Sequence, residues 1–136
     1  MVEGLEELKS RIGVEWEGGV YEIERGMIRR FVQAVDDPNP LWRDIAPPTF
    51  IVTVGLDQIG QVLPLAPSAT VLHGSTELEC YQPIRVGDTV TVTTKIADIR
   101  ERRGKMGRTA FVTFDFIYKN QRQELVAKCR QMIISY

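Results

Sequence analysis

Few side chains in this sequence have chemistry to offer, and the most suggestive lie close together. Asp37 and Asn39 alternate with prolines in Asp37-Pro38-Asn39-Pro40, and Leu41 and Trp42 follow. A carboxylate on a loop stiffened by two prolines can hold a water molecule and take a proton from it. The same carboxylate can instead cap free backbone amides beside the prolines, as the neighbouring asparagine can stabilise the turn. Trp42 brings a large apolar surface and one N–H donor. His73 is the only histidine, hence the only imidazole able to exchange a proton near neutral pH; it is either a displaced general base or a satisfied structural residue. Asp57 and Gln58 are polar interruptions of an apolar stretch, suited to a loop or a subunit interface. Arg100, Arg102, Arg103, Lys105 and Arg108 crowd one short stretch, tempered by Glu101. Phosphate groups or an acidic protein surface would suit such a patch, and so would a solvated hairpin tip. The sequence shows neither a glycine-rich phosphate loop before a helix nor a metal-ligand spacing. Cys80 and Cys129 read as two buried thiols inside strands.

These residues depend on the elements around them. Leu5 and Leu8 suit a short surface helix near the N-terminus. Gly18-Gly19 precedes Val20-Tyr21-Glu22-Ile23, which alternates like a short strand. From Arg25 the period changes: Ile28, Phe31, Val32 and Val35 form one apolar stripe of an amphipathic helix, with Arg29, Arg30 and Gln33 off it. That helix must stop at Asp36-Asp37-Pro38-Asn39-Pro40. After Ala46-Pro47-Pro48, Thr49 can cap a second helix. The run from Phe50 to Leu63 is apolar on almost every side and predicts one continuous buried helix, about 20 Å long, ended by Pro64 and Pro67. Beyond Leu72 the pattern is strand: Thr76–Tyr81, a turn at Pro83, Thr89–Ile99, a hairpin loop at Arg103–Arg108, then Ala110, Val112, Phe114, Phe116 and Tyr118 on one strand face. A turn at Asn120-Gln121-Arg122-Gln123 leads to a last strand, Leu125–Tyr136. The expectation is a single α+β domain over residues 1–136, in which a twisted antiparallel sheet wraps a long central helix. Strands this long in so small a domain leave an edge that invites a second subunit.

Composition sets wider limits. The chain has 136 residues, 43% hydrophobic and 26% charged, with a net charge of −1. That is a globular domain able to bury its own core. Its charge gives no electrostatic case for nucleic acid or an acidic membrane surface. No apolar run is long enough to span a bilayer, and Met1–Lys9 lacks the apolar core of a signal peptide, so the cytoplasm is the expected location.

The segment Phe31–Trp42 resembles the active segment of the MaoC-like hydratase and dehydratase family, which reads Asp-x-Asn-Pro-x-His after a short helix. Here Asp37-Pro38-Asn39-Pro40-Leu41 matches, and Trp42 stands at the histidine position. The chain is most similar to the substrate-binding half of that family. Ala46-Pro47-Pro48-Thr49-Phe50, Leu72-His73-Gly74, Tyr81 to Thr89 and Asn120 to Ala127 carry the likeness along nearly the whole chain.

The resemblance implies a hot-dog fold and a chemistry that adds water to, or removes it from, an acyl thioester. Such a reaction needs a group to hold and deprotonate water, a second group to share a proton, and donors for the charge on the thioester oxygen. Asp37 meets the first need, unless it is vestigial. Trp42 cannot meet the second, because indole donates without titrating; it can fill the space of the missing imidazole or line an acyl channel. The resemblance therefore implies a substrate-holding subunit of an (R)-specific enoyl-CoA hydratase or 3-hydroxyacyl-thioester dehydratase. A second hot-dog chain would supply the histidine, unless a homodimer uses Asp37 and His73. Asn39, Trp42, His73, Arg103 and Lys105 are the candidate substrate-binding residues, the last two for phosphates of coenzyme A or an acidic carrier protein. No cofactor beyond the thioester is implied. The alternatives are a hot-dog acyl-CoA thioesterase using Asp57, and a non-enzymatic acyl-thioester-binding scaffold.

Overall fold

Alternating burial along β3 and β4 marks the second half of the chain as a sheet with one face in the core. The computed structural model describes residues 4–63, 69–105 and 107–136. Five strands, β1 (Glu15–Glu22), β2 (Val71–Cys80), β3 (Thr89–Gly104), β4 (Gly107–Lys119) and β5 (Leu125–Ser135), form one antiparallel sheet in the order β1-β3-β4-β5-β2. On the central strand β4, Ala110, Val112, Phe114, Phe116 and Tyr118 all point into the core and are at most 1% exposed. Val90, Val92 and Ile96 of β3 join them from the same sheet face. The expected α+β architecture is what the chain adopts.

The helical elements cover that face. α1 (Leu5–Lys9) turns Leu5 and Leu8 inward, so both are buried rather than on the surface. α2 (Arg25–Ala34) buries Ile28 and half-buries Phe31 and Val32, while Val35, expected on the same stripe, is exposed. β1 begins earlier than expected and runs through Gly18-Gly19, where its register against β3 slips between Glu17 and Val20.

The expected continuous central helix is absent. Its first part is a 3-10 helix, Pro48–Thr53, preceded by Pro47, with no capping role for Thr49. Val54 is then extended, Gly55 has φ +87°, and a short helix α3 (Asp57–Val62) follows with no buried residue. Two local causes end the first piece. The β-branched Val52, Thr53 and Val54 are weak helix formers. Gly55 takes a left-handed conformation, and a Cβ there would sit 3.3 Å from Val92 Cγ1. The break frees the Val54 carbonyl, which accepts a hydrogen bond from the buried Tyr118 hydroxyl at 2.9 Å. Pro64 and Pro67, expected to end the helix, lie outside the described residues, as does Met106 of the β3–β4 hairpin.

The turn Arg85–Asp88 ties β1 to β3. Ile23 N–H donates to the Asp88 carbonyl and Gly87 N–H to the Ile23 carbonyl, each at 2.8 Å. Gly87 has φ +90°, which favours glycine, and the Asp88 carboxylate accepts from Arg85 N–H (2.9 Å) and Gln121 Nε2 (3.0 Å). Asn120 holds the next turn by accepting from the Arg122 and Glu124 amides at 2.9 and 3.1 Å. Two of the stretches that carry the sequence likeness, Tyr81 to Thr89 and Asn120 to Ala127, thus each hold a turn through a side-chain cap. Among the described residues, no helix is long and apolar enough to cross a membrane.

Candidate functional site

The loop carrying Asp37 is fixed by the way α2 ends. Asp36 N–H donates to the Gln33 carbonyl and Asp37 N–H to the Val32 carbonyl, at 3.2 Å each, with Asp36 left-handed at φ 53°. This is a Schellman closure with aspartate in the position that glycine usually takes. Pro38 prevents the helix from continuing. Asn39 then caps the next 3-10 turn, Pro40–Arg43, its Oδ1 accepting from Leu41 N–H at 3.1 Å, with Pro40 at the first helical position. Arg25 braces the far end: its guanidinium donates to the Arg43 carbonyl at 2.7 Å and pairs with Asp44 at 2.8 Å.

The result is a direct contact between the two residues at the ends of the motif. Trp42 Nε1–H donates to Asp37 Oδ2 at 2.7 Å, and Asn39 N–H donates to Asp37 Oδ1 at 3.1 Å. Both carboxylate oxygens thus receive a protein donor. The Trp42 indole donates here and has no lone pair with which to accept a proton, so the loop holds one carboxylate and no second titratable acid–base group beside it.

Trp42 also stands between two clefts. On one side is an apolar cleft of about 330 Å³, walled by Trp42, Pro48, Ile51, Cys80, Ile84 and Val126. Its floor is set where the chain after Arg43 pairs with the Ile84–Val86 loop: Ala46 N–H donates to the Ile84 carbonyl at 2.8 Å and Val86 N–H to the Asp44 carbonyl at 3.0 Å. A cleft of this size and lining accepts a short or medium alkyl chain. On the other side is a cleft of about 580 Å³ between α2 and the Pro40–Arg43 turn, lined by Arg25, Arg29, Gln33, Asn39 and Arg43.

The remaining candidates are elsewhere. His73 lies on β2, its Nε2 2.7 Å from Thr76 Oγ1. It is seven residues from Cys80 at the apolar cleft, roughly 23 Å along the strand, so within one chain it does not reach the water that Asp37 could hold. Arg103 and Lys105 sit at the β3–β4 hairpin, more than about 25 Å along the sheet from the cleft end of β5. Around them Arg100 pairs with Asp98 at 2.8 Å, Arg108 with Glu101, and Arg102 stacks over the Phe111 ring at 5.8 Å. Asp57 is exposed, and both its oxygens are engaged, by the Tyr21 hydroxyl at 2.8 Å and Gln58 Nε2 at 3.3 Å. It ties α3 to β1. Asp37, Asn39 and Trp42 are brought together; His73, the hairpin cations and Asp57 are each apart from them. Sequence reasoning does not single out Arg25, Arg29 and Arg43, although Arg25 and Arg29, one helical turn apart, carry a signal.

Cys80 corrects the reading of two buried thiols. Cys129 is buried, and burial pushes its thiol up to about 11, whereas Cys80 is exposed at the cleft wall. At pH 8 a group with that value is ionised in about one molecule in a thousand, and the thiolate is the reactive form. N-ethylmaleimide at pH 8 is therefore expected to add once to the native protein, at Cys80, as read by intact mass; a rapid second adduct without unfolding would contradict this.

Comparison with known proteins gives a consistent family. A model of the FAS1-like dehydratase domain region matches residues 10–129. A UPF0336 protein of Thermobifida fusca (strain YX) is 36% identical over 100 residues, covering 62% of this chain and 66% of that relative, just under two thirds of its length. Among solved structures, the HadBC (3R-hydroxyacyl-ACP dehydratase) complex of Mycobacterium tuberculosis aligns with TM-score 0.71 at 19% identity, over 90% of this chain and 96% of that one. The MaoC-like dehydratase of Rhodospirillum rubrum aligns with TM-score 0.68 at 22% identity, over 92% of each chain. At these identities the structures establish the hot-dog fold.

Proposed function

The chain belongs to the FAS1-like dehydratase-region family of MaoC-like hot-dog proteins, and from that premise we propose that it is the substrate-holding half of a hydratase or dehydratase acting on acyl thioesters. The reaction is (R)-specific hydration of an enoyl thioester, or its reverse. Water's oxygen bonds the β-carbon, one of its protons reaches the α-carbon, and no redox cofactor takes part. The observation that carries the reading is the Trp42–Asp37 hydrogen bond of 2.7 Å, which sets beside the carboxylate a group that cannot accept a proton.

A second hot-dog chain brings the working pair, the aspartate and histidine of its own Asp-x-Asn-Pro-x-His motif, and Asp37 is structural or auxiliary. β2 is the edge that favours such pairing: its ten residues lie at the end of the sheet, nine of them exposed, and Ser75–Cys80 is regular. Both edges carry a register slip, between His73 and Ser75 on β2 and between Glu17 and Val20 on β1, and β2 keeps the longer regular run. The HadBC dehydratase, whose fold this chain shares, is itself a complex. In this arrangement the apolar cleft beside Trp42 takes the acyl chain, and Asn39, which lines the neighbouring cleft, donates from Nδ2 to the thioester. A coenzyme A or carrier-protein thioester as substrate is in keeping with a cytoplasmic location.

Gentle purification from the native host, read by intact-complex mass spectrometry, tests the partnership. Co-purification of a chain carrying Asp-x-Asn-Pro-x-His at equal stoichiometry is the expected result. Recovery of this chain only with itself, or alone, contradicts it.

A further inference from the structure

The cleft between α2 and the Pro40–Arg43 turn has a charge balance that the loop architecture does not use. Arg25 is committed, to the Arg43 carbonyl and to Asp44. Arg29 lies one turn further along α2, on the same side of the helix. Arg43, on the Pro40–Arg43 turn, lines the same cleft. Among the described residues, neither the Arg29 nor the Arg43 guanidinium has a hydrogen-bond or ion-pair partner, and no carboxylate lines the cleft. The two acids flanking the turn are engaged elsewhere, Asp37 by Trp42 and Asp44 by Arg25. Two cations thus face a cleft of about 580 Å³ that shares one wall, the Trp42 indole, with an apolar cleft of about 330 Å³.

An anionic group at one end of a ligand and an alkyl chain at the other would fit these two clefts together. Guanidinium forks match phosphate oxygens in shape and charge. The exposed amides of Gln33 and Asn39 between them can hydrogen-bond a polar, amide-bearing linker. We infer that Arg29 and Arg43 bind the phosphate of a phosphopantetheine thioester, whose arm runs along this cleft so that the thioester reaches the Asp37–Trp42 edge and the acyl chain enters the apolar cleft. This rests on the acyl-thioester reading above and deepens it. It moves the phosphate site away from Arg103 and Lys105, at the far end of the sheet.

Two ligands that differ only by the phosphate isolate the claim: dodecanoyl-pantetheine and dodecanoyl-4′-phosphopantetheine, titrated calorimetrically into the protein together with whatever partner co-purifies. The phosphorylated ligand should bind the wild type about 10–50-fold more tightly, a range set by charge-assisted hydrogen bonds at a solvent-accessible site. That advantage should shrink to within about twofold in the R29Q/R43Q variant while binding of dodecanoyl-pantetheine is kept, which also shows that the variant is folded. Persistence of the advantage in R29Q/R43Q, or its loss in R103Q/K105Q instead, overturns the assignment and leaves the thioester reading standing. Failure of the wild type to bind either ligand overturns the thioester reading and the assignment with it. Dodecanoyl-coenzyme A and a dodecanoyl carrier protein, compared on the same two variants, separate the two sources of the arm. The one that binds the wild type more tightly must lose that gain in R29Q/R43Q; a gain that survives overturns the assignment.

Discussion

In the assembled pair, Asp37→Asn in this chain leaves the hydration rate within about threefold, whereas replacing the motif histidine of the second chain lowers it by about 10²–10⁴-fold, the usual contribution of a general acid–base. The contrast follows from what each carboxylate can reach. Asp37 has a donor on each oxygen, and the indole beside it cannot accept a proton, so within this chain it has no acid–base partner, whereas the second chain's aspartate has its own histidine. The introduced amide oxygen still accepts from Trp42 or Asn39, so the substitution keeps most of the loop geometry. Initial rates at saturating enoyl thioester, for the two variants of the same complex, give the comparison. A loss of 10²-fold or more for Asp37→Asn would make this chain's carboxylate the working base.

Phe50→Ala carries the largest expected cost to the fold. Phe50 is 2% exposed and meets Phe31 edge-on, with centroids 5.7 Å apart and planes at 84°. It is the contact by which the Pro48–Thr53 helix, one wall of the apolar cleft, grips α2, the helix that launches the Asp37 loop. Removing a buried phenyl group costs about 3–5 kcal/mol. For a chain of this size that lowers the thermal midpoint by about 10–20 °C. Differential scanning fluorimetry of the two proteins measures it; a shift of a degree or two would mean that this contact does not hold the two elements together. The assembled complex should also bind acyl thioesters more weakly below the new midpoint, because the cleft wall and the loop lose their common anchor.

The parts of this architecture that can be read from sequence are those whose signal is local. The stripe Ile28-Phe31-Val32 and the stop at Pro38 define α2, and the alternation from Ala110 to Tyr118 defines β4 and its buried face. The central segment departs from expectation because an all-apolar run has no period: Phe50–Leu63 fits one buried helix as well as two short pieces. Gly55 is the available hint. The tie that makes the break stable, the Tyr118 hydroxyl on the Val54 carbonyl, spans 64 residues and leaves no local trace. The same division applies to the site. The motif places Asp37, Asn39 and Trp42 on one loop, and the spacing of five residues allows the Asp37–Trp42 bond without requiring it. The cleft with Arg29 and Arg43 depends on tertiary contacts, among them those of Arg25 with the Arg43 carbonyl and Asp44, which hold the Pro40–Arg43 turn against α2.

The central claim is that this chain holds a thioester and needs another chain's histidine to act on it. The direct measurement is hydration of a medium-chain enoyl-coenzyme A, followed by loss of the conjugated thioester absorbance, with this chain alone and with its co-purifying hot-dog partner added at equal stoichiometry. The account predicts no turnover above background for the chain alone, although it binds the ligand, and full turnover on addition of the partner. Turnover by the chain alone at a rate comparable to that of the pair would contradict it, and would place the catalytic groups within this sequence.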